Sequence, residues 1–260
     1  IVSGTGSSGI DNLVNVNGTL FFSANDKVHG EELWKSNGTA EGTSMVKDLT
    51  PGPQGSGYRG VFTPDMTNFT AINNTLYFTA FGGNEYYFWR SDGTENGTVA
   101  FKVATGIGLT PIKPDFTLYK NDVYFFNGDG DYPVLLQLWR ESSADGGLDH
   151  IKTLTLNDYY DSENQPLVKS GDFLYLTGRE GDQGFALFQS DGTESGTRVF
   201  IDTVIQTDQS SNPDELLRIG NLVYFITRFN NTVRVWVTDG SYEGTHQLMH
   251  LENARQLVDV

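Results

Sequence analysis

The chain contains no cysteine, three methionines and four histidines, and sets 17 basic residues against 33 acidic ones. Without thiols there is no disulfide, no thiolate nucleophile and no cysteine-ligated metal. A formal net charge of -16 over 260 residues lacks the basic patch that a phosphate backbone requires, so nucleic acid is not an expected partner. No apolar run is long enough to cross a bilayer, so membrane insertion is not expected either. A sustained helical period is also missing. What the chain does have is glycine, 30 residues, and aromatics, 13%, the composition of short strands joined by tight turns.

Five strand-borne aromatics recur along it: Trp34, Trp89, Trp139, Phe188 and Trp236, at intervals of 55, 50, 49 and 48 residues. That spacing belongs to repeat architectures. Ser36-Asn37-Gly38-Thr39 follows the first anchor, Ser91-Asp92-Gly93-Thr94 the second, Ser190-Asp191-Gly192-Thr193 the fourth and Thr238-Asp239-Gly240-Ser241 the fifth. A second Gly-Thr comes next at Gly42-Thr43, Gly97-Thr98, Gly196-Thr197 and Gly244-Thr245. Repeat three departs, reading Glu141-Ser142-Ser143-Ala144-Asp145-Gly146-Gly147.

Each copy divides into four strand-like segments. The strongest is the second, as in Leu20-Phe21-Phe22, Leu76-Tyr77-Phe78, Val123-Tyr124-Phe125, Phe173-Leu174-Tyr175 and Leu222-Val223-Tyr224-Phe225. Turn pairs stand before these segments at Asn17-Gly18, Asn73-Asn74, Asn121-Asp122, Ser170-Gly171 and Gly220-Asn221, residues that accept positive φ in hairpins. Four antiparallel strands per repeat predict an all-β fold, a β-propeller of four-stranded blades with about five repeats, near 10–62, 66–110, 115–163, 166–212 and 215–254. An open solenoid of the same units is the rival arrangement. The whole of 1–260 reads as one tandem-repeat region. Its ends, Ile1 to Gly6 like a fourth strand and Gln256 to Val260 like a first, suggest a window on a longer array.

Glu32-Leu33-Trp34 with the Asn37-Gly38-Thr39 and Gly42-Thr43 that follow resembles the ELWxSDGTxxGT repeats of large secreted or cell-surface proteins. Repeat one matches nearly in full, with Asn37 in the usual Asp position; repeats two, four and five match in part, and repeat three only at Leu138-Trp139. The resemblance implies a propeller-like surface array and carries no catalytic residues. The Ser-Asp-Gly-Thr turn is also similar to the Asp-box of sialidase-type propellers, where it is structural. Asp92, Asp191 and Asp239 are accordingly expected to staple turns.

Among candidate sites, Asn127, Asp129 and Asp131 place oxygen side chains at alternate positions with glycines between, a pattern that can wrap calcium. The loop lacks the downstream bidentate Glu, and an ordinary acidic turn is the competing reading. Asp158, Asp161 and Glu163 form a weaker acidic cluster. Acceptor sequons for N-glycosylation stand at Asn17, Asn37, Asn68, Asn73, Asn96 and Asn230, of use only in a eukaryotic secretory pathway. His29, His150, His246 and His250 have no companion motif of a nucleophile triad. Arg90 and Arg140 take the position of Lys35 after the anchor. Tyr86, Tyr87, Tyr159 and Tyr160, expected in loops, offer rings for stacking on sugars.

The function expected from these readings is a non-enzymatic extracellular structural or adhesive scaffold whose partners are other protein subunits or domains. The alternatives are a carbohydrate-binding propeller, with glycans as partners, and a glycosidase. No cofactor is expected beyond calcium.

Overall fold

Asn17 and Gly18 both take positive φ, 49° and 86°, and reverse the chain between β1 (Asp11–Val16) and β2 (Thr19–Asn25). Such two-residue loops match the twist of the strands they join. The same reversal recurs at Asn73-Asn74, Gly171-Asp172 and Gly220-Asn221, and at Lys120-Asn121, where φ is 49° and 72°. In repeats three and four the turn is thus shifted by one residue from the pair expected from sequence. The αL conformation costs the lysine roughly 1 kcal/mol, and the pairing of Tyr119 with Asp122 imposes it.

The computed structural model describes residues 7–52, 66–82, 85–103, 106–107, 110–111, 114–128, 135–156, 166–181, 184–201, 213–229 and 232–252. They fall in two compact units, 1–111 and 112–260. The first unit holds blade 1, completed by β3 (Glu31–Ser36) and β4 (Ser44–Lys47), and blade 2, of β5 (Thr67–Ile72), β6 (Thr75–Phe81), β7 (Tyr86–Ser91) and β8 (Val99–Val103). A two-stranded hairpin, β9 (Gly106–Ile107) with β10 (Thr110–Pro111), follows. The second unit holds blade 3, of β11 (Thr117–Tyr119), β12 (Asp122–Gly128), β13 (Leu135–Glu141) and β14 (Leu148–Thr155), then blade 4, of β15 (Val168–Ser170), β16 (Phe173–Gly178), β17 (Ala186–Ser190) and β18 (Arg198–Ile201). Blade 5 comprises β19 (Pro213–Ile219), β20 (Leu222–Phe229), β21 (Thr232–Thr238) and β22 (His246–Glu252).

Every blade is a four-stranded antiparallel meander in chain order. The chain is all-β and of the β-propeller class, with five such blades among the described residues.

Two irregularities repeat with the blades. The pairing of the third and fourth strands slips immediately before each anchor, between Leu33 and Trp34, Phe88 and Trp89, Leu138 and Trp139, Leu187 and Phe188, and Val235 and Trp236. On the first strand a bulge stands at Asn12, Asn68 and Glu215, each at positive φ. Recurring bulges bend a strand and raise its twist, which is what wedge-shaped sheets require.

Alternation along the strands divides each blade into two apolar faces. In the first unit, Val14, Val16, Phe21, Leu33 and Val46 of blade 1 pack on Phe69, Leu76, Phe78, Ala80, Tyr87 and Trp89 of blade 2. In the second unit, Val168, Tyr175 and Leu187 of blade 4 pack on Leu216, Val223, Phe225 and Trp236 of blade 5. The anchors Trp89 and Trp236 therefore lie between blades, as expected, each on the face toward the preceding one. It stacks on the second-strand ring beside it, Trp89 on Phe78 at 6.2 Å and Trp236 on Phe225 at 6.1 Å between centroids. Burying a ring of this size contributes about 3 kcal/mol.

Candidate functional site

The most conserved geometry across the repeats is the turn after the anchor strand. In blade 2, Asp92 Oδ1 accepts from the Thr94 amide at 2.8 Å and from Thr94 Oγ1 at 2.7 Å. The Thr94 hydroxyl in turn accepts from the Gly97 amide at 2.9 Å. Thr98 Oγ1 donates to the Thr94 carbonyl at 2.6 Å and lies 2.7 Å from Ser91 Oγ, which accepts from the Gly93 amide at 3.0 Å. The same bonds link Asp191, Thr193, Gly196, Thr197 and Ser190 in blade 4, and Asp239, Ser241, Gly244, Thr245 and Thr238 in blade 5. In blade 1 Asn37 fills the aspartate's place, accepting from the Thr39 amide and hydroxyl.

Each glycine of this turn has a separate reason. Gly38, Gly93, Gly192 and Gly240 take φ between 87° and 96°, where a Cβ is strained. Gly42, Gly97, Gly196 and Gly244 instead stand against the side-chain oxygens of Asn37, Asp92, Asp191 and Asp239, in the space a Cβ would fill. The three carboxyls are held below the usual carboxylate range, first by the side-chain hydroxyl of Thr94, Thr193 or Ser241 and then by the backbone amide of the same residue. The expected turn staples are therefore what the geometry shows. Blade 3 has a different closure: the Ser142 amide donates to the Gly147 carbonyl, the Gly146 amide donates to the Ser142 carbonyl, and Asp145 Oδ1 accepts from the Gly147 amide.

The staple also joins blades. Lys35 of blade 1 donates to the Gly93 carbonyl of blade 2 at 2.8 Å. Tyr124 of blade 3 donates to the Gly192 carbonyl of blade 4 at 3.2 Å, and Gln189 of blade 4 to the Gly240 carbonyl of blade 5 at 3.2 Å. Sequence reading placed Lys35 as a repeated surface charge and missed this role. The available signal was the register, since Gln189 stands where Lys35 does, one residue past the anchor. Arg140, at the same position in blade 3, pairs with Asp149 instead.

Glu32 of the Glu-Leu-Trp motif is fully buried, and its carboxylate accepts from the Leu49 amide at 2.8 Å and the Thr50 amide at 3.4 Å. The motif thus ties β3 to the turn after β4. Nearby, Asp26 accepts from the amides of Val28 and His29, and its second oxygen lies 2.6 Å from His29 Nδ1. Burial opposes ionisation of Asp26, but the three bonds outweigh it and hold the carboxyl at about 2. The same bond raises His29, with Asp48 adding to it.

Of the calcium candidates, Asn127 lies buried within β12 at the register position of Ala24, Ala80, Gly178 and Thr227. Asp129 and Asp131 lie outside the described residues, as do Asp158, Asp161, Glu163, Tyr159, Tyr160 and Asn230. Among the described residues no three histidine or carboxylate groups converge as a metal site would. Asn17, Asn37, Asn73 and Asn96 are exposed on turns. Asn68 is a bulge residue of β5 whose Nδ2 donates to Thr67 Oγ1 at 3.0 Å and Thr79 Oγ1 at 3.3 Å. Tyr86 and Tyr87 are not in a loop, contrary to expectation. They belong to β7, where Tyr86 meets Phe81 edge-on at 5.6 Å and Tyr87 meets Trp89 edge-on at 6.3 Å. His150 packs on the Trp139 ring at 5.2 Å, His246 is exposed, and His250 lies in β22.

No family model matches the chain, and no curated protein matches its sequence. Solved structures similar to it include the β-propeller domain of the Trilobed protease from Pyrococcus furiosus, at 14% identity over 88% of this chain and 65% of that one, with a TM-score of 0.46. TolB from Acinetobacter baumannii is similar at 15% identity over 88% of this chain and 53% of that one, TM-score 0.40. The periplasmic gluconolactonase of Pseudomonas aeruginosa is similar at 14% identity over 92% and 69%, TM-score 0.46. The chain thus spans 65% and 53% of the length of the first two. The gluconolactonase corrects one expectation, that the chain is not an enzyme. Blades of this kind occur in enzymes too, so the lack of a recognisable catalytic motif leaves activity open. Among the described residues no helix is long and apolar enough to cross a membrane.

Proposed function

We propose that the protein is an extracellular structural or adhesive scaffold of the ELWxSDGTxxGT repeat type, contacting neighbouring protein subunits through its blade faces and turn tips. The observation that carries this reading is how the repeated residues are used. Asp92, Asp191, Asp239 and their partners are committed to holding turns and to joining blades. The tips they hold out vary freely: Ala40-Glu41, Glu95-Asn96, Glu194-Ser195 and Tyr242-Glu243 are exposed, with Tyr242 81% accessible. A constant frame with variable, hydrated tips suits recognition of partners along an array.

The test is made on intact source cells. Protease added outside should cut the protein, and carboxylate-directed cross-linking should join Glu41, Glu95, Glu194 or Glu243 to another polypeptide of the same assembly. Protection of the protein inside cells that remain sealed would overturn the extracellular reading. Accessibility without any cross-link to another chain would overturn the scaffold reading.

A further inference from the structure

We propose that Arg179 and Arg234 form a binding site for a small oxyanion, the carboxylate, sulfate or phosphate group of a ligand, at the junction of blades 4 and 5. The site goes beyond the scaffold reading, because it serves a binding protein and an enzyme alike.

Strand alternation brings both arginines to that junction. On β16, Tyr175 packs into the core shared with blade 5, so Thr177 and Arg179 stand on the same face. Arg179 continues the strand past Gly178: its amide donates to the Thr155 carbonyl at 3.0 Å and its carbonyl accepts from the Thr155 amide at 2.8 Å. On β21, Trp236 enters the same core from the blade 5 side, and Arg234 shares its face, while Val233 and Val235 take the opposite face with Ile226. The two arginines meet at the end of the junction away from the staples. Arg234 pairs with Thr227 at the register position that Gly178 and Ala186 hold in blade 4, next to Arg179.

Neither arginine belongs to the repeated frame. Arg234 stands where the other blades have Glu32, Tyr87, Gln137 and Ala186, and Arg179 where blades 1 and 2 have Asn25 and Phe81. Neither is used to hold the fold by its side chain either. Among the described residues, Arg179 and Arg234 have no side-chain hydrogen bond or ion pair, and the Nε of Arg179 is buried without an acceptor. Both are half-buried, unlike the exposed Lys27, Lys169 and Arg198, for which water replaces a partner. The carboxylates of this region are committed elsewhere, Glu180 to Lys152 and Glu215 to Arg228. A buried charged donor without an acceptor is costly. In a chain with 33 acidic and 17 basic residues, carboxylates to pair it are not scarce.

The donors also define the ligand. The Nε and one Nη of a guanidinium form a parallel edge that grips two oxygens of a carboxylate, sulfate or phosphate. Arg234 adds a second fork from the facing blade. Thr227, on the blade 5 face that carries Phe225, accepts from Trp236 Nε1 at 3.1 Å, which leaves its hydroxyl proton to donate to the same anion. Two guanidinium groups at one place repel a cation and have no use for a neutral ligand.

The arginine Nε–H signals of the 260-residue chain are followed by NMR as sodium sulfate, inorganic phosphate or sodium acetate is added, with sodium chloride at matched ionic strength as the reference. The signals of Arg179 and Arg234 should move together and saturate with one Kd, and the salt that saturates them at the lowest concentration identifies the group bound. Arg234→Gln should weaken the Arg179 response about tenfold, as loss of one charge-assisted bond does, and Arg179→Gln should do the same to Arg234. The backbone amide spectrum checks that each variant is folded; Arg234→Gln, which removes no bond within the chain, carries the test alone if Arg179→Gln is not. The absence of saturation with all three salts overturns the proposal. So do shifts that chloride reproduces, and a response of one arginine that survives unchanged when the other is replaced.

Discussion

The carboxylate of Asp92 occupies the space in which a side chain on Gly97 would stand. Gly97 therefore serves close approach, whereas Gly93, about one turn of chain earlier, serves a positive φ of 87°. Gly97→Ala is expected to destabilise the chain by about 2 kcal/mol, as an overpacked site does. Gly171→Ala, at a φ of 56° with no described atom beyond its chain neighbours within 4 Å of the new Cβ, should cost about 1 kcal/mol from backbone strain alone. Urea unfolding of the two variants measures the difference. Equal losses would show that the staple carboxylate yields to the new methyl group.

Acid should loosen the staples. Folding lowers the pKa of Asp92, Asp191 and Asp239, so their contribution is fully present above the unfolded value of about 3.9 and is lost as pH falls through the folded values. The urea midpoint should fall as pH drops below about 4. A chain with Asp92→Asn, Asp191→Asn and Asp239→Asn should show a shallower fall, since Asn37 makes the same bonds in blade 1 without a charge. An equally steep fall in that variant would assign the acid sensitivity to other carboxylates.

The Asp26–His29 pair has a bounded working range. His29 is raised from 6.5, so its share is present below that value and lost as pH rises through the raised one. Asp26 is lowered from 3.8 to about 2, so its share is present above 3.8 and lost toward 2. The pair is strongest between those limits. Proton NMR titration of the His29 ring should show a pKa that moves down toward 6.5 in Asp26→Asn; an unmoved titration would mean that Asp26 is not its cause.

Tyr124→Phe and Gln189→Leu each remove the donor to a staple carbonyl of the next blade. Each is expected to cost about 1 kcal/mol, the net worth of one such bond. The loss should be felt at the junction, so amide hydrogen exchange should quicken at Gly192 to Thr193 in the first variant and at Gly240 to Ser241 in the second. Quickening spread evenly over the chain would show that the bond does not secure its own junction.

How far the sequence could be read varied with the kind of interaction. Local chemistry was legible. Asn-Gly pairs reverse the chain because few other residues accept positive φ, and Ser-Asp-Gly-Thr folds on itself because all its partners lie within seven residues. The hairpin turn of blade 3 was misread by one residue because Lys120 carries no turn signature, and its αL conformation is imposed by the pairing of Tyr119 with Asp122. Tyr86 and Tyr87 looked like loop residues for a related reason, as a Gly-Gly-Asn stretch precedes them. Pairing with Phe81 and Ala80 draws them into the sheet.

The sequence by itself determined the class of fold, the count of repeats and the stapled turns, because period and turn chemistry act over short separations along the chain. Only the tertiary structure decided which side chain answers which carbonyl. Lys35 meets Gly93 across 58 residues, and Tyr124 meets Gly192 across 68, because strand alternation and blade packing bring them together. The same long-range packing buries Leu167 and Leu216 and leaves Leu13 in water, a difference between equivalent positions that no local pattern encodes.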